Sequence, residues 1–535
     1  MSCRDMPLQR LPVNKHTILY SSVALFIINL PVLLLCHCTD TFGIRWKTIP
    51  TMILNCDTGV KVCRMPERRP VETLESTCFV VLAQSLHHLA IELEETKDDE
   101  CSTRTEELSQ QINSLPGVII EQLVTKVIEI IQQSFSRTRR PIGLRTCLVV
   151  LLQPAIQRLD LSGLFFRMRL PGSINGGIRE VVSSQISGMK NLTSLNLVSK
   201  CSDEILAIIC KHCPDLTDLN VSISDLVTDQ GMKSVAIGCT KLETLGIYKC
   251  WEVTSEGIVC VLRKARNLSK MKCDQLGAVI ISTFRDSATT FKLKHFEQTH
   301  TLFEPLEEDM AWVGRACPDI ESVSLFVDDE GLGMIPQLGK VKVLEVETSA
   351  VLGTGFVNAV TCLGSSLQTL QLNCNQMSHE SLVLLGESCP QLGTLHISTA
   401  VVEGDKYLLN PGHLFSALTT LHLQVWKESE ISRECVEFFL LWCQKLESVL
   451  IKADLKFLSD QFLARLLATN PLTHARLIYI TSDSHVPLTV ASVHRLLGSC
   501  PGLESLAVSS WDVTEEEYFS LRNSISASNY NLTIT

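Results

Sequence analysis

The sequence has no excess of positive charge. Its 47 Lys and Arg stand against 58 Asp and Glu, a net charge of -11 over 535 residues. A general nucleic-acid binder shows a basic face, so charge argues against that class. The chain also lacks a phosphate-cradling glycine loop and a nucleophile elbow. Cys210 and Cys213 have metal-like spacing, but no second pair stands at a suitable distance. His87, His88 and Glu92 supply too few ligands to close a metal site. These absences leave no catalytic constellation, and the sequence implies neither a metal nor a cofactor.

What is present is repetition. The stretches 213–221 (CPDLTDLNV), 317–325 (CPDIESVSL), 389–397 (CPQLGTLHI) and 500–508 (CPGLESLAV) share one form. Cys239 and Cys443 open two variants without the proline. Each places a Cys three residues before an apolar residue, with apolar residues three and five further on. Leading residues Ile156, Leu192, Leu216, Leu242, Leu268, Ala288, Ile320, Val341, Leu367, Leu392, Leu418, Leu446, Leu472 and Leu503 recur at a step of about 26 residues in most cases. Period-two alternation predicts a strand at each. The polar-to-apolar stretch after it predicts a helix, with Asp203, Ser255, Ser378 and Thr514 as caps. The 22 cysteines therefore read as a stacked, buried thiol position rather than a disulfide frame, which favours a reduced cytoplasmic or nuclear setting. ATTFKL (288–293) is a degenerate strand, and GDKYLLNPGH (404–413) an insertion.

The first 64 residues are unrelated to the repeat. Residues 17–38 are uncharged and mostly apolar, long enough to span a bilayer, with Asn29 and Pro31 inside. A membrane span, a signal peptide and an extension foreign to the mature chain stay open here. The first two would place the array on a membrane or outside the cytosol.

Residues 65–150 form a helical region. Leu74, Cys78, Val81, Leu82, Leu86 and Leu89 make one apolar face, and residues 94–107 read as a solvated linker. Leu115–Phe135 gives a second helix with a stripe through Ile119, Leu123, Val127 and Ile130 or Ile131. Such helices can simply cap the open end of a repeat array. Their spacing adds a resemblance. Thr73, Leu74, Cys78 and Leu82 resemble the elongin-binding box of cullin–elongin ubiquitin ligase receptors. Leu115, Pro116, Ile119 and Leu123 resemble the companion cullin box. Together they resemble the von Hippel-Lindau box, which implies elongin B/C and a cullin as partners. The leucine-rich Zyg-eleven and Zer group carries this box near the N-terminus, although the armadillo-type repeats of that group are not seen here. The same stretch also resembles the start of an F-box, whose closing Trp and helix are not evident.

Residues 151–535 resemble the Cys-containing leucine-rich repeats, close to the ribonuclease-inhibitor type. That resemblance implies an α/β solenoid, a horseshoe with a small N-terminal helical cap, and a protein-binding strand face. The outward strand positions include Asn196, Asp218, Asn220, Glu243, Lys270, Lys272, Glu345, Gln371 and His422, and they are the expected substrate face. Each taken singly can equally be a solvated strand residue. The reading is a substrate receptor of a cullin-RING ubiquitin ligase. An F-box-type receptor and a protein-binding scaffold without a ligase role, tethered to a membrane by 17–38, are the alternatives.

Overall fold

A computed structural model describes residues 72–95, 100–138, 141–166, 172–298, 307–403, 414–426, 431–483, 485–527 and 531–535. The segment 17–38 and the insertion 404–413 lie outside them. Among the described residues no helix is long and apolar enough to cross a membrane.

The architecture is a leucine-rich α/β solenoid. Its strands are β1 Arg158–Asp160, β2 Ser194–Asn196, β3 Asp218–Asn220, β4 Thr244–Gly246, β5 Lys270–Lys272, β6 His295–Gln298, β7 Ser322–Phe326, β8 Val343–Glu347, β9 Thr369–Ser378, β10 Thr394–Glu403, β11 Thr420–Val425, β12 Ser448–Lys452, β13 Leu477–Thr481, β14 Ser505–Ala507 and β15 Thr533–Ile534. Residues 74–226 and 227–535 form two compact units.

In residues 74–226, helices Glu72–Glu95, Glu100–Asn113, Gly117–Thr138 and Leu144–Leu151 precede β1. The stretch expected to be a linker is thus largely helical. Leu108 and Ile112, one turn apart and buried, anchor an otherwise polar helix. The first helix buries Leu82, Leu86 and Leu89 with Phe79, Ala83 and Leu93, but Val81 is exposed. The next stripe runs through Ile120, Leu123, Val127 and Ile131, with Ile119 only half-buried. The backbone N–H groups of Gln157 and Arg158 donate to Glu121 Oε1 at 2.8 and 3.0 Å. A carboxylate from helix Gly117–Thr138 therefore satisfies donors at the start of β1. Pro116 opens that helix, its carbonyl accepting from Ile119 and Ile120. Gly117 follows because a Cβ there would strike the Ala155 carbonyl. Strands β1, β2 and β3 pair in parallel, with Asp160, Asn196 and Asn220 in register.

In residues 227–535, β4 to β15 form parallel pairs in sequence order. Buried and half-exposed residues alternate along β7, β8, β12 and β13, so one face meets the core and the other is open. Two leading residues need correction. Ala288 is the left-handed C-cap of helix Leu276–Ser287, and Leu293 leads β6. Leu472 also has positive φ, and Ala475 leads β13. In each case a turn ahead of the strand holds an apolar residue that mimics the pattern. With Leu293 as the leader, the step to Ile320 is 27 residues rather than the 32 counted from Ala288. β15 was not expected, because polar Asn531 stands where the pattern calls for an apolar leading residue.

Helix caps follow a shifted rule. Ser378 and Thr514 cap as expected, accepting from Ser381 and Glu517 N–H. Thr254 rather than Ser255 caps helix Ser255–Lys264, and Ser202 rather than Asp203 stands at the N-cap of helix Asp203–His212. The displaced acidic position has its own task. Asp229 accepts from Thr254 N (2.8 Å) and Oγ1 (2.6 Å), and Asp460 accepts from Thr489 N (3.0 Å) and Oγ1 (2.7 Å). Asp329 accepts from Gly353, Gly355 and Phe356 N–H at 2.7 to 3.0 Å. A carboxylate in the first turn of one helix thus ties down the cap of the next, satisfying donors no helix can reach internally.

The repeat cysteines end helices. Cys213, Cys239, Cys389, Cys443 and Cys500 are buried C-cap residues outside any disulfide. Cys213 Sγ donates to Met189 O at 3.6 Å and Cys500 Sγ to Pro471 O at 3.8 Å. Burial pushes Cys389 up to about 11, and Cys317, Cys443 and Cys500 up to about 12. At neutral pH these thiols are protonated and unreactive.

Candidate functional site

The open face of β7 to β13 is built by register. Because parallel strands pair residue for residue, outward positions line up in rows about 4.8 Å apart. One row runs Ser324, Glu345, Gln371, His396, His422, Leu450 and Tyr479. A second, two residues on, holds Phe326, Glu347, Asn373, Ser398, Gln424, Lys452 and Thr481.

Three expected residues, Glu345, Gln371 and His422, fall in the first row. His396 completes it and was missed. Its signal was available, since His396 in TLHI and His422 in TLHL occupy the same strand position. The two imidazoles stack at 3.7 Å between centroids and 16° between planes. Burial lowers both, and His422 is pushed to about 4, with His396 adding to the effect. At neutral pH the centre of the row is therefore an uncharged aromatic stack. Beyond Leu450, Tyr479 shares a 2.9 Å hydrogen bond with Ser505 Oγ, which fixes its ring. Aromatic side chains are enriched, and most charged ones depleted, at the core of protein-binding surfaces.

Charges flank the stack, with Glu345 in the same row and Glu347 and Lys452 in the second. Lys272 pairs with Glu297 at 2.9 Å and Lys452 with Asp483 at 2.9 Å. Lys270 stands on β5 in register with His295. Glu243 precedes β4, its carbonyl accepting from Ser269 and Lys270. In residues 74–226, Asp218 and Asn220 occupy the outward positions of β3, where Thr217 Oγ1 and Ser222 N donate to their side chains. Asn196 lies in register with Asn220, and its buried Oδ1 has no hydrogen-bond partner among the described residues.

The two boxes are placed differently from a free docking stripe. Leu82, Leu115 and Leu123 are buried in the helical layer, so they serve its own core. Pro116 is exposed, Ile119 half-exposed, and Val118 between them is 62% exposed. Thr73, Leu74 and Cys78 belong to helix Glu72–Glu95, but their side chains lie outside the described residues. Among the described residues no group of three His, Cys, Asp or Glu could hold a metal.

No family model matches the chain. Among curated proteins it is similar to the F-box protein SKIP1 of Arabidopsis thaliana, 32% identical over 95 residues, covering 18% of this chain and 30% of that protein. It is 25% identical over 204 residues to GRR1-like protein 1 of the same plant, covering 36% and 30%. The F-box protein MAX2, also from that plant, is 28% identical over 109 residues, covering 20% and 15%. The chain thus spans less than a third of the length of each of these relatives. Of solved structures, the yeast Rad7 and Elc1 complex aligns over 68% of this chain and 94% of that chain at 15% identity and a TM-score of 0.40. The mouse RP105/MD-1 complex aligns over 66% and 68% at 14% identity and a TM-score of 0.34.

Proposed function

We propose that the chain is a non-catalytic substrate receptor of a ubiquitin ligase. The observation that carries this reading is the register-built row on the open strand face, with neutral stacked His396 and His422 at its centre. A rigid parallel sheet fixes those side chains in advance, so little conformational entropy is lost when a protein segment docks on them. Sequence similarity to named F-box proteins supports the ligase role.

The helices ahead of β1 are proposed to hold the ligase. In the elongin form of the reading, Thr73, Leu74, Cys78 and Leu82 meet elongin C, and Leu115, Pro116, Ile119 and Leu123 meet a cullin. Because Leu82, Leu115 and Leu123 are buried, direct contact there falls to Pro116, Val118 and Ile119. The F-box form uses the same helices with another adaptor, and similarity to F-box proteins supports it as well as the elongin form.

Co-expression of the full chain with elongins B and C, and separately with the F-box adaptor, tests the proposal. One adaptor should co-purify stoichiometrically and be lost on Pro116→Glu with Ile119→Glu. A folded chain that captures neither adaptor would refute the ligase role.

A further inference from the structure

In residues 227–535, one part of the open strand face carries charge of a single sign. Glu345 and Glu347 stand two residues apart on the same face of β8, the first half-exposed and the second exposed. Among the described residues neither makes an ion pair. Their register partners are uncharged, Ser324 and Gln371 beside Glu345, Phe326 and Asn373 beside Glu347. Lys272 and Lys342 are engaged elsewhere, with Glu297 at 2.9 Å and with Glu321 at 3.0 Å.

Phe326 supplies the other half of the chemistry. It ends β7, half-exposed, and its ring packs on no other ring among the described residues. Neighbouring strands lie about 4.8 Å apart and alternate residues about 6.6 Å. One ring and two carboxylates therefore border a patch the size of a single side-chain head group. Two carboxylates at that spacing repel, and a cation between them removes the repulsion. A guanidinium suits the place better than an ammonium. Its plane stacks on an aromatic face, and its fork meets carboxylate oxygens in pairs.

The rest of the row defines how a bound segment continues. The stacked His396 and His422 lie two and three strands beyond β8, about 10 to 14 Å away. An extended segment rises about 3.3 Å per residue and turns every second side chain to the same face. The side chain four residues from a guanidinium seated at β8 therefore reaches the stack. Such a stack receives an apolar or aromatic group.

We propose that Phe326, Glu345 and Glu347 bind an arginine of an extended protein segment lying across β7 to β11, with an apolar side chain four residues away resting on His396 and His422. The inference rests on the strand face being the substrate surface.

The test selects phage-displayed random peptides on the full chain, then measures the strongest binders as fluorescein-labelled synthetic peptides. Selected sequences should be enriched in arginine with an apolar residue four positions away. Citrulline, which keeps the shape of arginine without its charge, should weaken binding about tenfold or more. Glu345→Gln with Glu347→Gln should do the same, with melting midpoint and adaptor capture unchanged. The two losses should not add, because each removes the same contact. Lysine in place of arginine should bind more weakly. No selected peptide, no enrichment of arginine, equal binding by the citrulline or lysine peptide, an unaffected double variant, or fully additive losses would each overturn the proposal. His396→Glu with His422→Glu separates this failure from failure of the underlying reading. If that variant loses the selected peptides while Glu345→Gln with Glu347→Gln keeps them, the strand face stands as the binding surface and the arginine site falls. If neither variant matters, both fall.

Discussion

At the scale of single residues, one position, the helix C-cap, accounts for five of the 22 cysteines. The C-cap of several repeat helices carries a small side chain that donates toward the turn before it. Cys does this weakly through sulfur. Asn470 replaces it in helix Asp460–Thr469, with Nδ2 donating to Leu440 O at 2.9 Å and Cys443 O at 3.2 Å. Both bonds are buried, so Asn470→Ala should cost about 1–3 kcal/mol, read as a lower urea midpoint at unchanged slope. Asn470→Cys should recover part of that loss. The stacked histidines make a second residue-scale case. His422 titrates near 4 in the folded chain and near 6.5 when unfolded. Between those values the unfolded chain binds more protons, so stability falls as pH drops from about 6.5 toward 4. His422→Gln should flatten the dependence of the urea midpoint on pH in that window and leave it unchanged above.

At the scale of elements, the repeat unit was legible because it obeys two periods at once, alternation in the strand and a helical stripe after it. Fourteen strand leaders could be read, and the errors have local causes. Ala288 and Leu472 sit in left-handed turns, which apolar spacing does not reveal. The carboxylate ties from Asp229, Asp329 and Asp460 were hidden as well, since their partners lie a whole repeat away. These ties explain certain glycines. At Gly355 a Cβ would overlap the Asp329 carbonyl, whereas at Gly498 nothing lies within 4 Å. Gly355→Ala should therefore destabilise by about 1–3 kcal/mol. Gly498→Ala, in helix Val490–Ser499, should be neutral or stabilise by about 0.5–1 kcal/mol. Thermal melts of the two variants side by side check this contrast.

At the scale of the whole chain, the strand face was only partly legible. Period-two reading assigned Glu345, Gln371 and His422 to outward positions, but it could not show that they share one row. Register across strands decides that, and it also brings in His396, Leu450 and Tyr479. The helical boxes show the opposite limit. A spacing such as Leu115, Pro116, Ile119 and Leu123 matches a docking motif and a helix start with a buried stripe equally well. Burial of Leu115 and Leu123 shows that the chain uses part of that pattern for itself. A receptor needs both regions at once. Removing the row should abolish partner binding while leaving the adaptor bound, because the substituted side chains are half-exposed and contribute little to the core.

The most direct measurement is quantitative affinity capture from cells with and without proteasome inhibition, comparing the full chain with a variant carrying Glu345→Lys, His396→Glu and His422→Glu. The expected result is a defined set of proteins that rises on inhibition with the unaltered chain and is lost with the variant, while ligase components stay bound to both. The account is contradicted if a folded variant captures the same proteins as the unaltered chain, or if no captured protein responds to inhibition.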